Sequence, residues 1–295
     1  MPAIAMLIAV FVWGGSFIAT KLAIAEIPPI AFAVLRFSVA TTGLLVAHWA
    51  TRTPINVPRA LWRRVAIAGL LGTTATYVLE NIALKYTSAG NSAIFIAASP
   101  LITIAGAAIF LRERLTWRTL GGALLAFAGL TALVGASFRQ TGLGDGLMAL
   151  NTLVGAWYAL VSKTLADRAS PLATLTTTYA VGLVGLLPFA AGEAILTPSA
   201  WHVSPLSLGA LAFLGLGSSG CAYWLWMYAL GRMSAATAGV YLYLMPIVTL
   251  ALSWLLLGEA MGPAKLAQAA VVLVGVYLAS TARHAPRASE APQPS

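Results

Sequence analysis

Apolar runs of roughly twenty residues, about the length a helix needs to cross a 30 Å hydrocarbon core, follow one another along this chain with short polar breaks. The stretch 99–111 is apolar, Arg112, Glu113 and Arg114 interrupt it, and an apolar run resumes within a few residues. Backbone in lipid must satisfy its own hydrogen bonds, in helices or in a closed barrel. Strand-type alternation is missing, while Ala, Leu, Gly and Val dominate, so the runs read as helices. Breaks at charges, prolines and polar clusters predict spans over 3–25, 30–49, 64–86, 90–111, 117–137, 144–166, 171–195, 205–230, 235–257 and 263–281. The remaining segment, 282–295, is rich in Pro, Ala and Ser and has no apolar period, which predicts a disordered tail.

Composition agrees. Of 295 residues, 60% are hydrophobic and 8% charged, against about 25% charged in soluble domains. Lipid is the expected solvent, and the expected fold class is an all-α integral membrane protein with ten transmembrane helices. The formal net charge of +9 could suggest nucleic acid, but the basic residues sit in scattered short loops and form no patch. They set orientation instead. With the N-terminus inside, the inner segments hold Arg52, Arg59, Arg63, Arg64, Arg112, Arg114, Arg118, Lys163, Arg168, Arg232, Arg283 and Arg287, and the outer loops only Lys85, Arg139 and Lys265. Both termini are therefore expected in the cytoplasm, in a multi-pass protein of the cell (inner) membrane. The N-terminal run lacks the positive region of a cleavable signal peptide.

A shift of 146 positions lays the second half on the first: Tyr77 meets Tyr223, Pro100 meets Pro246, Thr103 meets Thr249 and Glu113 meets Glu259. Nearer the start of each half a shift of 142 pairs Lys21 with Lys163 and Pro29 with Pro171. Five spans per copy is an odd number, so the second copy must enter the membrane inverted. The expected organisation is a first repeat over 1–137, a second, inverted repeat over 138–281, and the tail. Inverted repeats commonly build secondary transporters, with the substrate held near the midplane between copies.

Three stretches also carry a family resemblance: "WGGSFIATKLA" at Trp13–Ala23, "LRF" at Leu35–Phe37, and the segment from Pro100 to Gly129 with its "LRERLTWRTLGGALLAFAG". The chain resembles the EamA-type transporters of the drug/metabolite transporter superfamily over about 3–281, and among named members the YddG-like exporters of aromatic amino acids. The resemblance implies a ten-helix, two-repeat plan and export of small metabolites. The second half departs from the pattern, with "LVSKTLA" at its start and no basic residues around Glu259.

Charges inside apolar spans are expensive, so each needs a partner, a proton or water. Lys21, Arg36 and Glu80 all fall in the outer half of the first repeat, as a gate, as a proton or substrate site, or as an ion pair locking helices. Helical spacing groups Tyr77 and Asn81 in the third span, Tyr223 and Met227 in the eighth, Ser92, Phe95 and Ser99 in the fourth, and Thr237, Tyr241 and Met245 in the ninth. Trp13, Phe17 and Tyr158 complete the candidate cavity lining. Rings with a polar handle, Met and small hydroxyls suit an apolar or aromatic solute, although Tyr and Trp also populate membrane interfaces. Pro100 and Pro246 are candidate hinges, and Glu113 and Glu259 are expected to anchor span ends.

An enzyme is not expected. His48, His202 and His284 lie far apart, Cys221 is the only cysteine, and no cofactor motif stands out, so neither metal nor cofactor is expected. Charge rings or a filter segment of a channel are missing as well. The expected function is export of small metabolites, foremost aromatic or hydrophobic amino acids, by alternating access through a central cavity; the alternative is export of cationic drug-like compounds or another metabolite class. The expected partners are a small-molecule substrate and the lipid bilayer, with no nucleic acid. Nothing in the pattern demands an oligomer.

Overall fold

Prolines and serines set where the helices begin. Pro29, Pro205 and Pro263 occupy the first turn of theirs, where a missing N–H is harmless and the fixed φ already suits a helix. Ser204 and Ser234 are N-caps, accepting from the N–H groups of Ser207 (3.2 Å) and Thr237 (3.0 Å). The computed structural model describes residues 1–83, 86, 89–134, 142–196, 201, 203–257 and 262–281. Among these there is helix and no strand. The helices are α1 (Pro2–Ile24), α2 (Pro29–Thr51), α3 (62–83), α4 (Ala89–Phe110), α5 (Trp117–Val134), α6 (Leu143–Ala166), α7 (Pro171–Leu196), α8 (Pro205–Leu230), α9 (235–257) and α10 (Pro263–Ser280).

Among the described residues, five stretches are long and apolar enough to cross a membrane: Pro29–Thr51, Pro171–Leu196, Pro205–Leu230, Ala235–Leu252 and Pro263–Ser280. Large apolar side chains face outward along them, among them Leu45, Val46, Val184, Leu216, Leu273 and Val274. A water-soluble protein rarely exposes so much contiguous apolar surface, whereas lipid tails favour it. Trp49 and Trp117 are exposed near helix ends, where amphipathic rings sit at the headgroup level.

Two helices are not regular. α3 widens into a π-helix over Leu70–Ala75 and α8 over Phe213–Ala222. The 146-residue shift carries 70–75 onto 216–221, inside the second π segment. α9 is interrupted at Leu242–Tyr243, between Ala235–Tyr241 and Leu244–Leu257. Pro246 explains the interruption, because its ring nitrogen cannot donate to the carbonyl four residues back, at Leu242.

Packing is mostly between the halves. α1 lies against α8 and α9, and correspondingly α6 against α3 and α4. Helices holding the same place in each half also pair: α2 with α7, α4 with α9, α5 with α10. These pairs run antiparallel. Gly122 of α5 lies beside Gly275 and Ala279 of α10, while Gly129, two turns further on, meets Val272. By contrast α1 and α2, adjacent in sequence, share only a sparse contact, as do α6 and α7.

Carboxylates bridge the ends of the antiparallel pairs. The Glu193 carboxylate at the end of α7 accepts from the N–H groups of Ile30 (3.0 Å) and Ala31 (2.9 Å) in α2. Glu113, after α4, accepts from Ala235 (2.8 Å) and Ala236 (3.2 Å) in α9. A carboxylate there both satisfies orphan N–H groups and meets the positive end of the helix dipole. Arg112 adopts a positive φ of 54°, which ends α4 and turns Glu113 toward α9. Replacing Glu113 with alanine is expected to lower stability by about 1 kcal/mol, as loss of an N-cap does; thermal unfolding in detergent measures it, with Glu113→Gln intermediate because one acceptor oxygen remains. Glu259 lies outside the described residues.

Candidate substrate site

The crossing of the halves is lined with aromatic rings. Tyr223 of α8 meets the ring of Trp13 edge-on at 4.8 Å between centroids and lies 6.1 Å from Tyr179 of α7. Trp226, three residues along the same face of α8, stacks on Tyr158 of α6 at 5.7 Å. Phe37 of α2 bridges Tyr77 and Tyr179, each edge-on at 4.9 Å. Five helices plus α1 thus contribute to one connected cluster, in edge-on and offset geometries that ring quadrupoles favour.

One cation sits in its midst. Arg36 is 6% exposed; its Nε donates to Ser219 Oγ at 2.7 Å and Nη2 to Ser218 Oγ at 3.0 Å. The guanidinium also lies 5.4 Å from the centre of the Tyr77 ring, within cation–π range. Both serines belong to the π segment of α8. Trp13 Nε1 donates to the Ser218 carbonyl at 3.3 Å and Tyr179 Oη to the Ser219 carbonyl at 2.8 Å. The wide π turn therefore exposes its hydroxyls and carbonyls to α1, α2 and α7 at once, as π bulges at functional sites often do. The matching segment of α3 is held differently, by close approach: Thr74 Oγ1 donates to the Gly182 carbonyl at 2.9 Å, and Gly72 abuts the Tyr158 ring.

Glu80 follows Tyr77 by one turn of α3 and is half-buried. Among the described residues the only ion pair shorter than 4.0 Å is Lys163–Asp167, at 2.7 Å. Lys163 also donates to the Leu230 carbonyl at 2.8 Å, a cation closing the C-terminal end of α8.

Trp13, Tyr77, Tyr158, Tyr223, Arg36 and Glu80 come together in or beside the cluster. Met227 is 1% exposed and packed in the core, and Thr237 belongs to the N-cap of α9, its hydroxyl 2.7 Å from that of Ser234. Phe95, Ser99, Tyr241 and Met245 are partly buried. Pro100 is buried inside an uninterrupted α4, against Gly239 of α9. The side chains of Phe17, Lys21, Asn81 and Ser92 lie outside the described residues. Phe37, Tyr179, Ser218, Ser219 and Trp226 were not singled out from sequence. Trp226 was accessible by the i, i+3 rule from Tyr223, and the "GSSG" run at 217–220 is a polar interruption in an apolar helix.

The EamA-like transporter family model matches this chain twice, over residues 1–135 and 142–281. The chain belongs to the EamA-like transporter family. Its curated relatives span nearly its whole length. An "Uncharacterized transporter" of Archaeoglobus fulgidus is 28% identical, covering 93% of this chain and 97% of the relative. The "Probable terminal-alkyne amino-acid exporter" of Streptantibioticus cattleyicolor is 29% identical over 93% of this chain and 91% of that protein. The "Probable amino-acid metabolite efflux pump" of Salmonella typhimurium is 26% identical over 92% of each. A crystal structure superposes with a TM-score of 0.80 at 22% identity, covering 95% of this chain and 96% of the other, so the fold is shared. This EamA-like protein is accordingly a membrane transporter.

Proposed function

We propose that this EamA-like protein exports α-amino acids with aromatic or other hydrophobic side chains, by alternating access between two inverted five-helix halves, 1–137 and 138–281. It resides in the cell (inner) membrane with ten crossings and both termini cytoplasmic. The observation that carries the reading is the buried Arg36 set among Tyr77, Phe37, Tyr179 and Tyr223 where the halves meet: apolar ring surface with one fixed charge suits a largely apolar solute bearing an anionic end. The antiparallel pairing of corresponding helices, the two family matches and the names of two relatives support it. Trp13, Tyr77, Tyr158 and Tyr223 line the path, with Tyr179 and Trp226 beside them; Phe95, Ser99, Tyr241 and Met245 extend it. The paired π segments, together with the break before Pro246, are where the rocking helices bend.

Cells loaded with labelled phenylalanine, tryptophan or methionine and expressing the protein are expected to lose label faster than empty-vector cells. Equal loss for all of them rejects the amino-acid reading. Glu80 favours a second reading, export of organic cations, because a cation crossing this interior needs a buried counter-charge. Under that reading Glu80→Gln abolishes export of cationic dyes, and amino acids are not moved by the wild type.

A further inference from the structure

Arg36 is an unusual cation for an apolar interior. Its fixed partners are two neutral hydroxyls and a ring face, and among the described residues no carboxylate comes within 4.0 Å of it. Two of the five N–H donors of a guanidinium are held by Ser219 and Ser218, both on the π segment of α8. These bonds fix the plane of the group without neutralising it. A buried positive charge left in this state is costly, and an incoming anion relieves the cost. Guanidinium binds carboxylate in a two-point fork that a planar, oriented group is best placed to offer. Glu80 is the complementary charge. It stands one turn from Tyr77, whose ring Arg36 covers, is half-buried, and makes no ion pair with Arg36 within 4.0 Å.

We propose that Arg36 and Glu80 form a two-ended clamp for the head group of a zwitterionic α-amino acid. Arg36 takes the α-carboxylate, Glu80 takes the α-ammonium, and the side chain lies on the rings of Tyr77 and Tyr223. The ligand then compensates both charges at once, which neither an organic cation nor a neutral apolar drug does. The clamp rests on the amino-acid reading above and adds what that reading leaves open: the part of the substrate that is recognised is its zwitterion, with the ring cluster setting only a broad preference for side chains. Since Ser218 and Ser219 aim the guanidinium, they are positioning residues, and the π turn that presents them links head-group binding to the conformation of α8.

Counterflow of labelled phenylalanine in proteoliposomes, competed with unlabelled phenylalanine, phenylalaninamide, 3-phenylpropanoate and phenethylamine, tests this. On the wild type, each compound lacking one charged end is expected to compete about 10–100-fold less well than phenylalanine, the worth of a charge-assisted hydrogen bond. In Arg36→Gln, phenylalanine and phenylalaninamide should become equal competitors; in Glu80→Gln, phenylalanine and 3-phenylpropanoate should. Wild-type protein that exchanges phenylalanine yet treats phenylalaninamide and 3-phenylpropanoate as its equals overturns the clamp alone. A wild type that exchanges no amino acid of a hydrophobic panel overturns the amino-acid reading and the clamp with it. Should Arg36→Gln not fold, the wild-type ladder and Glu80→Gln decide between the same outcomes, and an Arg36→Gln protein that folds and still discriminates against phenylalaninamide sinks the proposal.

Discussion

Leucine in place of Gly122 or Gly275 will separate α5 from α10 and unfold the protein at markedly lower temperature. A Cβ on Gly122 would lie 2.5 Å from the Gly275 carbonyl oxygen and 2.6 Å from the Ala279 nitrogen; one on Gly275 would lie 2.5 Å from the Ala126 nitrogen. These are backbone atoms, which cannot turn aside as a side chain can. Overpacking in cores typically costs about 1–3 kcal/mol, and rigid obstacles on both helices place these substitutions at the top of that range or above it. Lipid offers the separated helices no hydrophobic penalty, so close van der Waals contact is what holds them. Gly121 supplies the control, since nothing lies within 4 Å of a Cβ built there: Gly121→Leu should melt with the wild type. If Gly122→Leu melts with it too, the contact between α5 and α10 is not a source of stability.

The second large effect is all-or-none. In a Cys221→Ala background, Arg114→Cys is expected to react with a membrane-impermeant maleimide only from the cytoplasmic side, and Lys265→Cys only from the outside. Both positions are exposed, Arg114 in the connection between α4 and α5 and Lys265 in the first turn of α10. Reaction of both from one side would contradict the inverted arrangement, whatever transport assays report.

Much of the helix plan could be read from the apolar pattern because lipid imposes a length and prolines and serines mark the starts. The structure puts α2 at Pro29–Thr51 where the pattern places 30–49, and α8 at Pro205–Leu230, as the pattern has it. The π segments could not be read, since "LLGTTA" at 70–75 has the composition of any membrane helix and the widened turn is set by neighbours. A glycine by itself does not mark a close helix approach. Gly14 and Gly122 mark close approaches, to Val248 and to the Gly275 backbone, while Gly121 faces open space and Gly217 meets only Phe213 of its own helix. Nor does a proline announce its effect. Pro246 opens α9 four residues upstream, whereas Pro100 leaves α4 continuous. At the candidate site, Trp13, Tyr77, Tyr158 and Tyr223 stood out as aromatic residues with polar handles inside spans. The partners of Arg36 did not, because Ser218 and Ser219 lie more than 180 positions away and only the fold brings them near.

The sparse contact between α1 and α2, set against the broad surfaces each offers to the later half, bears on how the chain is made. When α5 leaves the ribosome, α1 and α2 still lack α8, α9 and α7, the helices that will cover them. Synthesis therefore passes through a stage in which inserted segments wait loosely associated in the bilayer, exposed to quality-control proteases, and a polypeptide halted before α7 should be degraded without ever acquiring a settled tertiary structure.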